Sequence, residues 1–134
     1  MRKMNRVSIL LMLIPFYLLL FPEHVSGYDN FTLLGNGTIK TDELTAKVEV
    51  WYQRIRDSNG LLIDQYLIIS RKNEIIYIIA KNLSKKELSY ISLITTGGAI
   101  LTYDLITSIT ITANSIDLVK EDSKKVLIEW KASQ

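Results

Sequence analysis

From Phe31 onward the chain alternates short apolar runs with polar turns, and most runs repeat with a period of two. In residues 46–53, Ala46, Val48, Val50 and Tyr52 fall on one side, with Lys47, Glu49, Trp51 and Gln53 on the other. That alternation predicts a strand with one face inward. Asp57-Ser58-Asn59-Gly60 follows. An Asn-Gly pair between two such runs is a strong hairpin signal, so residues 61–71 are expected to pair back. Residues 74–80 contain the unbroken run Ile75-Ile76-Tyr77-Ile78-Ile79, suited to a strand buried on both faces. Residues 99–107, 109–113, 116–120 and 126–131 read as further strands. The last two flank a polar turn at Glu121-Asp122-Ser123-Lys124. Trp130 shares the face of Val126 and Ile128 and belongs to the expected core.

One segment carries mixed signals. Ser84 and Glu87 stand at capping-box spacing, with Leu83 and Leu88 placed as a hydrophobic staple; Gly97-Gly98 could end a helix begun there. Against this, Ile91, Ile94, Thr95 and Thr96 are β-branched and fit a strand over 88–95 better. Seven or eight short strands separated by polar turns predict an all-β, immunoglobulin-like antiparallel sandwich. A short helix near 85–95 would make the class α+β.

The stretch from Ile79-Ala80-Lys81-Asn82-Leu83-Ser84 through Gly97-Gly98 resembles the strand, Asn-x-Ser turn, strand and glycine turn of bacterial extracellular immunoglobulin-like domains. It covers just under a fifth of the chain after residue 27, and the late Pro-Gly turn of such domains is missing. The resemblance implies a sandwich and assigns no functional residue.

The first residues change the picture most. Arg2, Lys3 and Arg6 precede an apolar run from Val7 to Phe21; Pro22 breaks it, and Val25-Ser26-Gly27 supplies compact residues at a cleavage position. That order is the secretory pattern. The run has 15 residues and contains Pro15, whereas a spanning helix needs about 20. Residues 1–27 are therefore expected to be a removed signal and residues 28–134 a single secreted or cell-surface domain. No cysteine is present to carry a lipid anchor. Contact with a membrane is expected only through the leader, if it is retained.

Cleavage levels the charge. The chain has 16 Lys+Arg and 14 Asp+Glu; removing Arg2, Lys3, Arg6 and Glu23 leaves 13 of each. A nucleic-acid partner calls for a basic surface, so none is expected. His24 and every Pro and Met leave with the signal, so residues 28–134 hold no Cys, His, Met or Pro. Ser-His-Asp and Cys-His catalysis then lack their parts, and zinc would lack its usual sulfur and nitrogen ligands. Gly35-Asn36-Gly37 matches no phosphate-binding loop. Asp57-Ser58-Asn59-Gly60 starts like a calcium loop, but Leu61-Leu62-Ile63 follows where oxygen ligands are required. No cofactor and no metal site is expected.

What chemistry remains is modest. Asp64 and Asp104 interrupt apolar strands and could form a carboxylate pair, although acids in such positions more often meet a lysine or arginine. Asn30, Asn36 and Asn82 begin Asn-x-Ser/Thr sites, acceptors in a glycosylating host. Trp51, on the polar side of its strand, is a candidate binding surface for a protein or glycan, or a packing residue. Arg71-Lys72 and Lys81 flank the Ile75–Ile79 run as gatekeeping charges; edge strands could also pair into a homo-oligomer. The expected function is non-enzymatic: protein or glycan binding, or assembly, outside the cell. A membrane-anchored subunit of an envelope or filament complex and a small carboxylate hydrolase are the alternatives.

Overall fold

The computed structural model describes residues 30–84 and 87–132. The leader, its cleavage site and residues 85, 86, 133 and 134 lie outside the described residues. The eight strands are β1 (Thr32–Lys40), β2 (Thr45–Arg56), β3 (Leu62–Ser70), β4 (Ile75–Asn82), β5 (Ser89–Ile94), β6 (Ile100–Ile111), β7 (Ser115–Lys120) and β8 (Lys125–Ala132). Each pairs antiparallel with the next, and β8 pairs with β1, so the sheet closes into a barrel.

The immunoglobulin-like sandwich expected from the strand pattern is thus incorrect. A sandwich needs at least one long connection that carries the chain between sheets. Here every connection is three to six residues long, so each strand can only turn back on its predecessor. A meander of this kind either leaves two edges or closes on itself, and this one closes. The α+β alternative also fails: β5 occupies Ser89–Ile94, and the described residues contain no helix. Closure leaves β1 and β8 no free edge for the expected edge-strand pairing between copies.

The period-two pattern sorts residues between lumen and exterior. Ile39, Val50, Ile68, Ile79, Ile91, Ile106, Ile116 and Ile128, one from each strand, meet inside the barrel and are nearly or fully buried. Ala46, Val48 and Trp130 join them as the pattern predicted. Burying each large aliphatic side chain contributes roughly 1.5–3 kcal/mol, so this lumen is the main source of stability. A second cluster, Leu67, Ile69, Ile76 and Ile94, faces outward across β3–β5 and packs with Phe31, Trp51 and Ile78. The β4 run is accordingly buried on both faces, as its composition suggested.

The hairpin at Asp57–Gly60 forms. Asp57 Oδ1 accepts the backbone N–H groups of Asn59 and Leu61 (both 2.9 Å), and Gly60 takes φ +82°. The carboxylate that opens the calcium-like motif is spent on its own turn. Residues 99–107 and 109–113, read as two strands, are one strand, β6, with a register shift between Ile106 and Ser108. That bulge reverses the alternation of apolar residues, which is why the sequence looks interrupted there.

The seam between β1 and β8 rests on two glycines. Gly35 and Gly37 pair with Ala132 and Trp130. A Cβ at either position would collide with a β8 backbone carbonyl, that of Lys131 or Glu129. Only glycine lets the two backbones pass so closely. The Trp130 ring fills the space beside Gly35. Gly37→Ala is therefore expected to destabilise the protein by about 3 kcal/mol or more, at the upper end for overpacked sites. Urea unfolding followed through tryptophan fluorescence reads this directly, and Gly97→Ala, in an open turn, is expected to change little.

Candidate functional site

The lumen is sealed through its middle and differs at its two ends. At one end, between the β1–β2 and β7–β8 turns, lies a cup of about 360 Å³. Its wall is apolar, built from Leu44, Tyr77, Ile91, Leu93 and Val126; Thr102, Asp104 and Lys120 add polar groups, and the rim is charged. The register explains the composition. Ile91 pairs with Asp104 and Leu93 with Thr102, so Asp104 sits at an inward position although its strand is mostly apolar. Lys120 Nζ lies 3.5 Å from Asp104 Oδ2 and 4.0 Å from Asp122 Oδ2.

Two turns shape the rim. Thr41 Oγ1 accepts the N–H groups of Glu43 and Leu44 (both 3.1 Å), tightening the β1–β2 turn. In the β7–β8 turn Ser123 takes φ +72°, and Asp122 Oδ1 accepts the N–H of Lys124 at 2.9 Å. Lys124 Nζ then donates to Glu43 Oε2 at 3.3 Å, tying the two turns together. The Lys124 hydrogen bond holds the Glu43 carboxyl below its ordinary range, and the same contact raises the Lys124 ammonium. Burial, with the Glu43 charge second, pushes the Tyr77 phenol up, so it stays a neutral hydroxyl at the cup wall.

The opposite end is a closed polar network. Arg54 holds Asp64 through both oxygens, Nε to Oδ1 at 2.7 Å and Nη2 to Oδ2 at 3.2 Å. The Tyr52 hydroxyl donates to Oδ1 at 2.8 Å, and the Tyr52 and Tyr66 rings meet with centroids 5.1 Å apart. Burial works to raise the Asp64 carboxyl, but the Arg54 and Tyr52 hydrogen bonds outweigh it and the net shift is downward. Burial, then the Asp64 charge, pushes the Tyr66 phenol up to about 12. Asp64 and Asp104 therefore do not share a proton or a substrate position. Each belongs to its own ion pair, with Arg54 and with Lys120. Among the described residues no group of three or more acids could hold a metal ion.

The remaining candidates lie apart from the cup. Trp51 is half-buried on the outer wall, where it packs against the Leu67 cluster and its Nε1 donates to Glu49 Oε1 at 3.1 Å. Arg71 Nε also reaches Glu49, at 2.9 Å. Asn30 is exposed, and so is Asn36, which sits on β1. Asn82 is half-buried, and its side-chain amide donates to the Leu88 carbonyl at 2.6 Å, bracing the β4–β5 turn.

Sequence reasoning missed the cup residues Tyr77, Lys120, Lys124 and Glu43 as a group. The one available signal was a hydroxyl-bearing ring within the Ile75–Ile79 run, at a lumen-facing position. The chain matches no protein-family model, no curated protein and no solved structure. Its class is set by geometry alone: an eight-stranded up-and-down barrel with a packed waist and a cup at one end.

Acid dependence follows from the network. The folded Asp64 value lies below the unfolded one, about 3.9, and the Glu49 carboxyl is also lowered, by Arg71 and Trp51 against the opposing effect of burial. Their stabilisation is present above the unfolded values and is lost as pH falls through the folded ones. Thermal midpoints of the wild type should drop between about pH 5 and pH 2. Asp64→Asn should start lower at neutral pH and fall less over that window; an unchanged slope would contradict the network's role.

Proposed function

We infer that the protein is a non-enzymatic binding domain working outside the cell, and that the cup between the β1–β2 and β7–β8 turns receives its ligand. The carrying observation is the cup's make-up: about 360 Å³, within the usual range of ligand sites, with an apolar wall and a few converging polar groups. Eight strands give a barrel interior just wide enough for packed side chains or one small ligand. Here side chains fill the waist, which leaves the ligand only the mouth.

The lining defines the ligand class. Tyr77, Leu93 and Val126 offer an apolar surface; Asp104 and Lys120 offer an acceptor and a donor; Glu43, Asp122 and Lys124 balance charge at the rim. A small amphipathic molecule with a hydrogen-bonding or zwitterionic head suits this set better than a simple ion does. A sugar ring belongs to the class, with an apolar face for Tyr77 and hydroxyls for Asp104 and Lys120. The leader's secretory pattern supports the extracellular setting.

The test is a panel of mono- and oligosaccharides and small zwitterionic amphiphiles, screened by amide chemical-shift mapping. Binding should perturb Tyr77, Leu93, Thr102 and Lys120. Tyr77→Ala and Lys120→Met should each weaken the best binder by at least about tenfold, the loss of about 1.4 kcal/mol. A panel whose only shifts fall on the outer wall, or no binding at all, would overturn this reading.

A further inference from the structure

Two aspartates stand at inward positions on otherwise apolar strands, and their surroundings differ. Asp64 accepts hydrogen bonds of 2.8, 2.7 and 3.2 Å, from the Tyr52 hydroxyl and from two nitrogens of Arg54. Asp104, in the cup wall, has Lys120 as its ion-pair partner at 3.5 Å. That is beyond the roughly 2.7–2.9 Å of a charge-assisted hydrogen bond. The register sets the gap. Asp104 lies opposite Ile91, whereas Lys120 lies opposite Ile106, further along β6, so the two side chains must lean toward each other along the wall. The Asp104 side chain is 27% exposed, against 11% for Asp64, and its carboxylate keeps acceptor capacity on the cup side.

Charge in the cup does not balance. Lys120 Nζ stands between two carboxylates, 3.5 Å from Asp104 and 4.0 Å from Asp122. At the rim Glu43 and Lys124 cancel one another, and exposed Asp42 and Lys125 add one charge of each sign. The lining thus carries one more negative than positive charge, and the surplus belongs to the Asp104–Lys120–Asp122 group. An entering anion would meet that surplus as repulsion. A neutral molecule would leave two carboxylates sharing one ammonium. A single added cation sets two positive charges against two negative ones.

We propose that the ligand of the cup is a protonated amine with a hydroxyl on the neighbouring carbon, the pattern of a vicinal amino alcohol or an amino sugar. This rests on the cup being the binding site and names the chemistry it selects. The ammonium donates to Asp104, and a charged donor on a carboxylate makes the stronger class of hydrogen bond. The hydroxyl accepts from Lys120, whose ammonium has three donors and only long contacts to its two carboxylates. Asp104 Oδ2 and Lys120 Nζ are 3.5 Å apart, so one molecule reaches both through groups on adjacent carbons. The rest of the ligand lies against Tyr77, Leu93 and Val126. Tyr77 pairs with Leu93 on β5, and Ile91 of β5 pairs with Asp104. With one strand between them, Asp104 and Tyr77 are separated by roughly 10 Å across the wall, at about 4.8 Å per strand, the span of one ring with a short substituent.

Two series matched in shape and graded in charge test the proposal by amide chemical-shift titration of the protein recovered from a secreting host. One is glucosamine, glucose, N-acetylglucosamine and glucuronate; the other is phenylglycinol, styrene glycol and mandelate. In each, the amine should bind at least about tenfold tighter than its neutral counterparts, the gain of a charge-assisted over a neutral hydrogen bond. The carboxylate should bind most weakly, and the shifts should centre on Leu93, Thr102, Asp104 and Lys120. Asp104→Asn keeps the side chain's shape and removes its charge, so it should erase the preference for the amine with an unchanged far-UV spectrum. Neutral or anionic members that bind the cup as tightly as the amines would overturn the proposal and leave the cup as the site. An amine preference that survives Asp104→Asn would overturn it too. So would the absence of cup binding by both amines, whereas the cup itself falls as a site only if the wider panel is also silent there.

Discussion

The pairing of β1 with β8 is the contact on which the rest of the molecule depends. Seven of the eight strand pairings join neighbours in sequence and would form in any meander. Only the eighth joins the two ends of the barrel, bringing residues 35–40 against 127–132. It is also the pairing with the strictest steric condition, since Gly35 and Gly37 must carry no side chain where β8 passes. Without it the chain would expose two strand edges and the Ile-rich lumen would lose its cover. With it, every strand has two neighbours and the lumen is enclosed.

Closure also decides where polarity can go. The middle of the lumen takes only apolar side chains, so charged groups that point inward are confined to the two ends, and there they occur in pairs. At one end the Asp64–Arg54–Tyr52 network is tightly hydrogen-bonded and leaves little room. At the other, the Asp104–Lys120 contact is longer, a single Lys124–Glu43 hydrogen bond links the two turns at the rim, and a cup remains. The difference between an internal brace and a ligand-sized opening thus comes from how closely the inward groups satisfy one another.

Much of this was legible in the residues. The period-two pattern located β2, β3, β4, β7 and β8 to within a few positions, and the hairpin at Asp57–Gly60 followed from its turn residues. The lumen side of β2 and the burial of Trp130 were read correctly. Two things were not legible. Gly35-Asn36-Gly37 lowers the strand propensity of β1, so the closing strand was the one least visible in sequence, and its glycines make sense only beside β8. The bulge between Ile106 and Ser108 broke β6 into two apparent strands. A sandwich and a barrel share the same alternation of apolar and polar positions. The difference lies in the connections, which are uniformly short. The cup was hidden for a related reason: Glu43 and Lys124 meet across 81 positions, a distance that local patterning does not span.

The most direct test of this account is the seam itself. In the folded protein, through-space NMR contacts should join Gly37 to Trp130 and Ile39 to Ile128, and the amides facing across β1 and β8 should resist hydrogen exchange as strongly as those of β3 and β4. A β1 or β8 that exchanges like an unpaired edge, with no contact between Gly37 and Trp130, would show an open sheet and contradict the closed barrel.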